Sequence, residues 1–223
     1  KALGLNVSLA EAIALGHDLG HSPFGHHGER IIEKIMEKND FKKTFWHEKN
    51  SLRFVDLIET LPNYSGFKEN LNLTYAVRDG IVCHCGEVNE NSIKPRDEYF
   101  DLNEIEKGKC MPYTYEGCVV KISDKIAYLG RDIEDAYNYK FFDKEDMLTL
   151  KQLAQEVMKK KIKFKDVNTS SLIHEFITNL CRNSNPEVGL NFSPEYYDMM
   201  NKIKKFNYKK IYSNPRFKPF MNY

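Results

Sequence analysis

The chain has 223 residues, 33 Lys+Arg against 32 Asp+Glu for a net charge of +1, and 41% hydrophobic residues. That length accommodates one sizeable domain, or one domain with a small appendage, and the hydrophobic share excludes a disordered chain. Balanced charge gives no global case for a nucleic-acid or membrane-surface protein, and no run approaches the roughly 18–20 apolar residues of a membrane span. No secretion signal is visible, and five cysteines, an odd number, read as reduced thiols. A cytoplasmic protein is expected.

Helical signals dominate. Ser8 and Glu11 have the spacing of a capping box ahead of Ala12–Leu15, which predicts a helix from about Leu9. Gly20, Pro23, Gly25 and Gly28 break it. A second helix is predicted from about Glu29 to Glu37, with Ile31, Ile32, Ile35 and Met36 as its buried stripe. Another runs from about His47 to Leu61, stopped by Pro62, and a further one from Leu73 to Cys85. Residues 87–115 are polar, carry Pro95, Gly108 and Pro112, and read as a long loop. Glu116 to about Tyr139 is the strongest helix, because Val119, Ile122, Ile126, Leu129, Ile133 and Ala136 recur at three- and four-residue steps. Helices of about Lys144–Lys161, Ser170–Arg182 and Pro194–Phe206 follow. No strand alternation is long enough to trust, so the predicted class is all-α.

The segment His17–Glu29, HDLGHSPFGHHGE, holds four of the seven histidines together with Asp18 and Glu29. Sequence neighbours on a helix point about 100° apart, but His17 and Asp18 sit where the helix ends, and there adjacent side chains can converge on one ion. Imidazole nitrogen with carboxylate oxygen suits Zn, Mn, Fe or Ni. The Gly- and Pro-rich turn brings His21, His26 and Glu29 back toward that point. A zincin-like His17/His21 pair is a weaker alternative, because it needs a continuous helix and Gly20, Ser22 and Pro23 interrupt one. Far downstream, Asp124, Tyr128 and Asp132 stand at i, i+4 and i+8 on the long helix, flanked by Lys125, Arg131 and Asp135. A helix apolar enough to be central that keeps such a row should line a cavity with it.

Two further features carry less. Cys83-His84-Cys85 has no second cysteine pair at zinc-site spacing and reads as packing, and Met199 and Met200 read the same way. The tail from Lys202 carries Lys204, Lys205, Lys209, Lys210, Arg216 and Lys218 interleaved with Phe206, Tyr208, Tyr212, Phe217 and Phe220. That spacing suits a single-stranded nucleic acid, with a solvated helix or subunit contact as the plainer reading.

HDLGHSPFGHHGE, WHEKNS, NLTYAVRDGIV and KISDKIAYLGRDIEDA occur in that order. This combination resembles the bacterial deoxyguanosine triphosphate triphosphohydrolase-like family and is similar to the HD-domain deoxynucleotide triphosphohydrolases, from about Leu9 to Ala136. The resemblance implies an HD-domain helical bundle over residues 1–145 with a C-terminal helical region, 146–223, packing on it. It implies a divalent metal ion (Mn, Mg, Fe, Ni or Zn) held by His17, Asp18 and Asp124. It places His26, Glu29 and His21 at the reacting phosphate, His47 and Lys125 on the phosphates, and Tyr128 and Asp132 on the deoxyribose. The family's first metal histidine precedes the doublet by several helical turns, and residues 1–16 contain none. The expectation is that a segment carrying it lies outside this sequence. The implied activity converts a dNTP to deoxynucleoside and inorganic triphosphate, in a homo-oligomer. The alternatives are an HD phosphatase or phosphodiesterase on another nucleotide, or a nucleotide-binding regulator that does not turn over.

Overall fold

The computed structural model describes residues 1–42, 44–86, 91–158 and 167–217. The chain divides into two compact units, one of Lys1–Val88 with Lys94–Lys121 and the other of Asn89–Ile93 with Ile122–Tyr223. Helix dominates both, as the all-α expectation requires, and no helix among the described residues is long and apolar enough to cross a membrane.

In the first unit, α1 spans Val7–Gly16. It starts two residues before the predicted point, because the Asn6 side chain, and not Ser8, accepts the Leu9 N–H, at 3.1 Å. Helix α2 spans Gly25–Lys38 and also starts earlier than predicted, directly after Phe24 turns the chain through a left-handed conformation at φ 65°. Its expected apolar stripe is a correction: Ile31 and Ile35 are exposed, and the residues α2 buries are Gly28 and Glu29. The helix is thus anchored near its N-terminal end.

Helix α3 begins at His47 as expected but ends at Arg53, widening into a π-helical turn over Phe54–Ile58. The chain then forms an antiparallel hairpin of β1 (Thr60–Pro62) and β2 (Lys68–Asn70), with Leu61 opposite Glu69. Asn63 makes the turn: its side chain accepts the Ser65 and Phe67 N–H groups at 2.9 and 3.0 Å. Helix α4 (Tyr75–Val82) clamps the π turn through Arg78, which donates to both Asp56 oxygens at 2.8 and 2.7 Å.

Ile13, Trp46, Leu52, Val55, Val77, Ile81, Val82, Leu102, Ile105 and Val120 form the core of this unit. At about 1.5–3 kcal/mol per large apolar side chain buried, this cluster is its main stabilising term. Gly80 lets α1 and α4 approach closely, since a Cβ there would collide with Ile13. The long loop is not loose. Arg96 reaches from it to the fully buried Asp79 carboxylate, donates to the Tyr75 hydroxyl at 2.8 Å and to the Met111 carbonyl at 2.5 Å.

Helix α5 spans Tyr115–Asn138, as its sustained periodicity predicts, and its residues from Ile122 on are counted in the second unit. In the second unit, α6 (Lys144–Met158), α7 (Thr169–Asn183) and α8 (Pro194–Asn207) bury Leu150, Ala154, Leu172, Phe176, Leu180, Met199 and Ile203, and α5 buries Ile126, Leu129 and Ile133. The predicted end of α6 at Lys161 lies outside the described residues. Strands β3 (Ser92–Ile93) and β4 (Leu190–Asn191) pair antiparallel, with Ile93 opposite Leu190. Several groups of the basic tail bind within this unit: Lys202 pairs with Asp198 and Lys210 with Asp146, each at 2.7 Å, and Arg216 lies 4.3 Å from the Phe141 ring centre.

Candidate active site

Helix α1 stops at Gly16, so His17 and His21 do not share a helix and the zincin-like alternative lacks its frame. His17 donates from Nδ1 to the Ala14 carbonyl at 2.7 Å, which leaves Nε2 as the lone-pair nitrogen of the neutral ring, 3.4 Å from Asp18 Oδ2. The following turn is clasped by α3. Ser51 Oγ donates to the His17 carbonyl at 2.6 Å and accepts the Gly20 N–H at 2.9 Å, and the Asn50 amide donates to the Gly20 carbonyl at 2.9 Å. Only glycine fits at position 20, because a Cβ would run into the backbone of His47, Asn50 and Ser51.

The start of α2 sets His26 and Glu29 at i, i+3, the spacing that makes helical neighbours. Glu29 is 98% buried. Its Oε2 accepts from His47 Nδ1 at 2.9 Å and His26 Nδ1 at 3.3 Å, and its Oε1 accepts from Lys107 Nζ at 2.5 Å. Burial pushes the Glu29 carboxyl up, but these three donors outweigh it and hold it far below the usual carboxylate range. The bond to Glu29 in turn raises the His26 imidazole above its ordinary value.

Asp18 stands among three imidazoles: His17, His21 Nε2 at 3.4 Å from Oδ1, and His84 Nε2 at 3.6 Å from Oδ1. Burial raises this carboxyl, yet the His84 contact and the three rings bring it down to about 2. His21 stacks on His47 with ring centres 4.0 Å apart and 8° between planes. Burial, then the neighbouring His47, lowers the His21 imidazole, and its Nδ1 is buried without a hydrogen-bond partner. A buried nitrogen of this kind is ordinarily satisfied by a water, an ion or a bound group.

Of the residues singled out from sequence, His17, Asp18, His21, His26, Glu29 and His47 therefore gather in the first unit. The gathering also includes residues the sequence reading set aside or passed over. His84, taken for packing, is buried against His17 with ring centres 4.8 Å apart, and Cys85 Sγ lies 3.3 Å from His47 Nε2. Lys107 comes from the polar loop. Lys121 of α5 is fully buried, its Nζ held by the carbonyls of Cys83 and His84 at 3.3 Å each and by that of Cys85. Burying an ammonium costs several kcal/mol, and the three carbonyls offset it; burial still lowers the Lys121 amine from its ordinary value. Asp124, Lys125, Tyr128 and Asp132 lie on the part of α5 that belongs to the second unit, and all four are half-buried. There Asp132 accepts a hydrogen bond from the Tyr212 hydroxyl, and burial raises its carboxyl.

Chemically, the first unit offers several sets of three donor atoms, each set within 4.8 Å, that could hold a metal ion. His17 with Asp18 fits a divalent ion: a neutral imidazole whose other nitrogen is tied to a backbone carbonyl beside a carboxylate kept anionic. A dense group of imidazoles and Lys107 next to that pair suits an anionic ligand.

Residues 1–129 match the HD domain family, and the chain belongs to it. Among curated proteins it is similar to the deoxyguanosinetriphosphate triphosphohydrolase-like protein of Rickettsia bellii, 32% identical over 97% of this chain and 61% of that protein. The proteins of the same name from Rickettsia rickettsii and Caldanaerobacter subterraneus are 35% and 36% identical over 94% and 95% of this chain, and over 53% and 50% of their own length. The chain thus spans between half and about 60% of these relatives.

Proposed function

We propose that the protein hydrolyses deoxynucleoside triphosphates to deoxynucleoside and inorganic triphosphate with a divalent metal ion. The observation that carries this reading is the His26–Glu29–His47 relay, with Lys107 on the second Glu29 oxygen, set beside the His17–Asp18 pair. The names of the relatives point the same way.

His17 and Asp18 would hold the ion, with Asp124 the further ligand that the family resemblance implies. An ion there supplies Lewis acidity at the α-phosphate and a water of lowered pKa. Glu29 fixes the His26 tautomer: Nδ1–H is committed to the carboxylate, and Nε2 is left for the reaction. His26 is exposed, and its bond to Glu29 raises its proton affinity above that of an ordinary imidazole. That suits a general acid. Water attacks the α-phosphorus, the bond from phosphorus to the 5′ oxygen breaks, and His26 gives that oxygen its proton. His21, His47 and Lys125 are assigned to the triphosphate, where charge grows. Tyr128 and Asp132 are assigned to the sugar.

The test is a screen of the four dNTPs against Mn, Mg, Fe, Ni and Zn, following inorganic triphosphate. Triphosphate release supports the reading. Release of phosphate or pyrophosphate instead moves the activity to a phosphatase, and binding without turnover moves it to a regulator.

A further inference from the structure

The sequence Cys83-His84-Cys85 has no partner pair in the chain at zinc spacing, yet its last two residues meet a third donor from α3. Cys85 Sγ lies 3.3 Å from His47 Nε2 and 3.2 Å from His84 Nε2. Both rings are held the same way. His47 gives its Nδ1–H to Glu29 at 2.9 Å, and His84 gives its Nδ1–H to the Ile81 carbonyl at 2.7 Å. In neutral rings, both Nε2 lone pairs then point at one sulfur. A single S–H can donate to only one of them, and His84 Nε2 also lies 3.6 Å from Asp18 Oδ1.

We propose that His47, His84 and Cys85 form a second metal site, adjoining the His17–Asp18 pair, which takes Zn2+ or another thiophilic divalent cation. Zn–N bonds of about 2.0–2.1 Å and a Zn–S bond of about 2.3 Å at tetrahedral angles put N and S roughly 3.5 Å apart. The observed 3.2 and 3.3 Å need little adjustment to reach that. The outer partners are the ones metal-bound imidazoles use, a carboxylate for one ring and a backbone carbonyl for the other. His47 and His84 are buried and Cys85 is half-buried, which leaves one open side for entry and for a fourth ligand. Lys121, whose ammonium sits on the carbonyls of residues 83–85, stabilises the thiolate that binding requires. Selectivity differs between the two sites: a His–Asp pair accepts hard and borderline ions, and thiolate with two imidazoles favours softer ones. Metal here and a phosphate on His47 would exclude one another.

The experiment is a Co2+ titration of the metal-free chain, followed in the near-ultraviolet for the thiolate-to-cobalt charge-transfer band. Cobalt bound at His17 and Asp18 gives no such band, so the outcome stands apart from that of the hydrolysis assay. The wild type should show the band, Zn2+ should abolish it by displacement, and Cys83→Ser should retain it. Cys85→Ser should lose it, and Glu29→Gln should weaken cobalt binding by about 10- to 100-fold. A wild type without the band, or a band undiminished in Cys85→Ser, overturns the proposal.

Discussion

Lys107 Nζ and Glu29 Oε1 stand 2.5 Å apart across 78 residues of sequence. The same ammonium reaches Glu33 Oε1 at 2.8 Å, one helical turn further on. A loop lysine therefore braces the carboxylate that orients both His26 and His47. Glu29 is buried while Lys107 is about half exposed, so solvent screens one side of the pair. Replacing Lys107 by Met should lower stability by about 1 kcal/mol. Arg should recover most of it, as measured by urea denaturation at low and high salt. An unchanged midpoint at low salt would show that the brace is idle.

Acid should unfold the first unit through its carboxylates. Asp18, ordinarily near 3.8, is held at about 2, and Glu29 is held far below its ordinary 4.5. Both bind protons more weakly folded than unfolded, so their stabilisation is present above pH 4.5 and is lost as pH falls through the folded values. His26 acts in the opposite sense. Its raised value gives stability that is full below about 6.5 and lost as pH rises through the folded value. Glu29→Gln should flatten the acid limb of a stability curve and also remove the alkaline decline that His26 contributes. A curve of unchanged shape would contradict the relay.

Asp124→Asn should abolish hydrolysis with little change in thermal midpoint, because an anionic ligand is lost while the shape is kept. Near wild-type turnover with added Mn would remove Asp124 from the metal assignment.

Asp132→Ala should lower kcat/KM for dNTPs by roughly 5- to 150-fold, the effect of about 1–3 kcal/mol for a lost buried acceptor. Hydrolysis of bis-p-nitrophenyl phosphate should fall far less. Tyr212 already donates to Asp132, which shows that this carboxylate receives hydroxyls. Tyr212→Phe should therefore cost stability more than it costs dNTP turnover. Equal losses for both substrates in Asp132→Ala would move the residue from the sugar to the metal.

Gly20→Ala should cost at least about 1–3 kcal/mol, the range for forcing atoms into a packed place. Backbone atoms surround the site and cannot rotate away. A thermal midpoint matching the wild type would mean that α3 can back off from the turn.

The parts of the fold readable from sequence were those with sustained periodicity. Helices α5, α7 and α8 begin and end within about one residue of the predicted points, because their apolar steps repeat over several turns. The predicted helix from His47 to Leu61 overran, since a π turn and an Asn63 turn leave no periodic trace. The stripe on α2 misled because Ile31 and Ile35 mimic a buried face while the residues α2 buries are Gly28 and Glu29. Within the site, His17–Glu29 was legible as density of one residue type. His84 was not, because its partners lie in the turn after α1 and on α3. Lys121 was not either, because backbone carbonyls that cradle an ammonium have no sequence signature.

Ser51 and His47 sit one turn apart on α3, the first closing the turn after His17 and the second bound to Glu29. The histidine-bearing turn and α2 thus have a common support, and neither can detach while α3 stays folded without breaking buried hydrogen bonds. Amides of Gly20, Ser51 and the first turn of α2 should then exchange with deuterium at closely similar opening free energies, as one cooperative unit. Binding at any one of these side chains should slow exchange across all three segments, including those that touch no ligand.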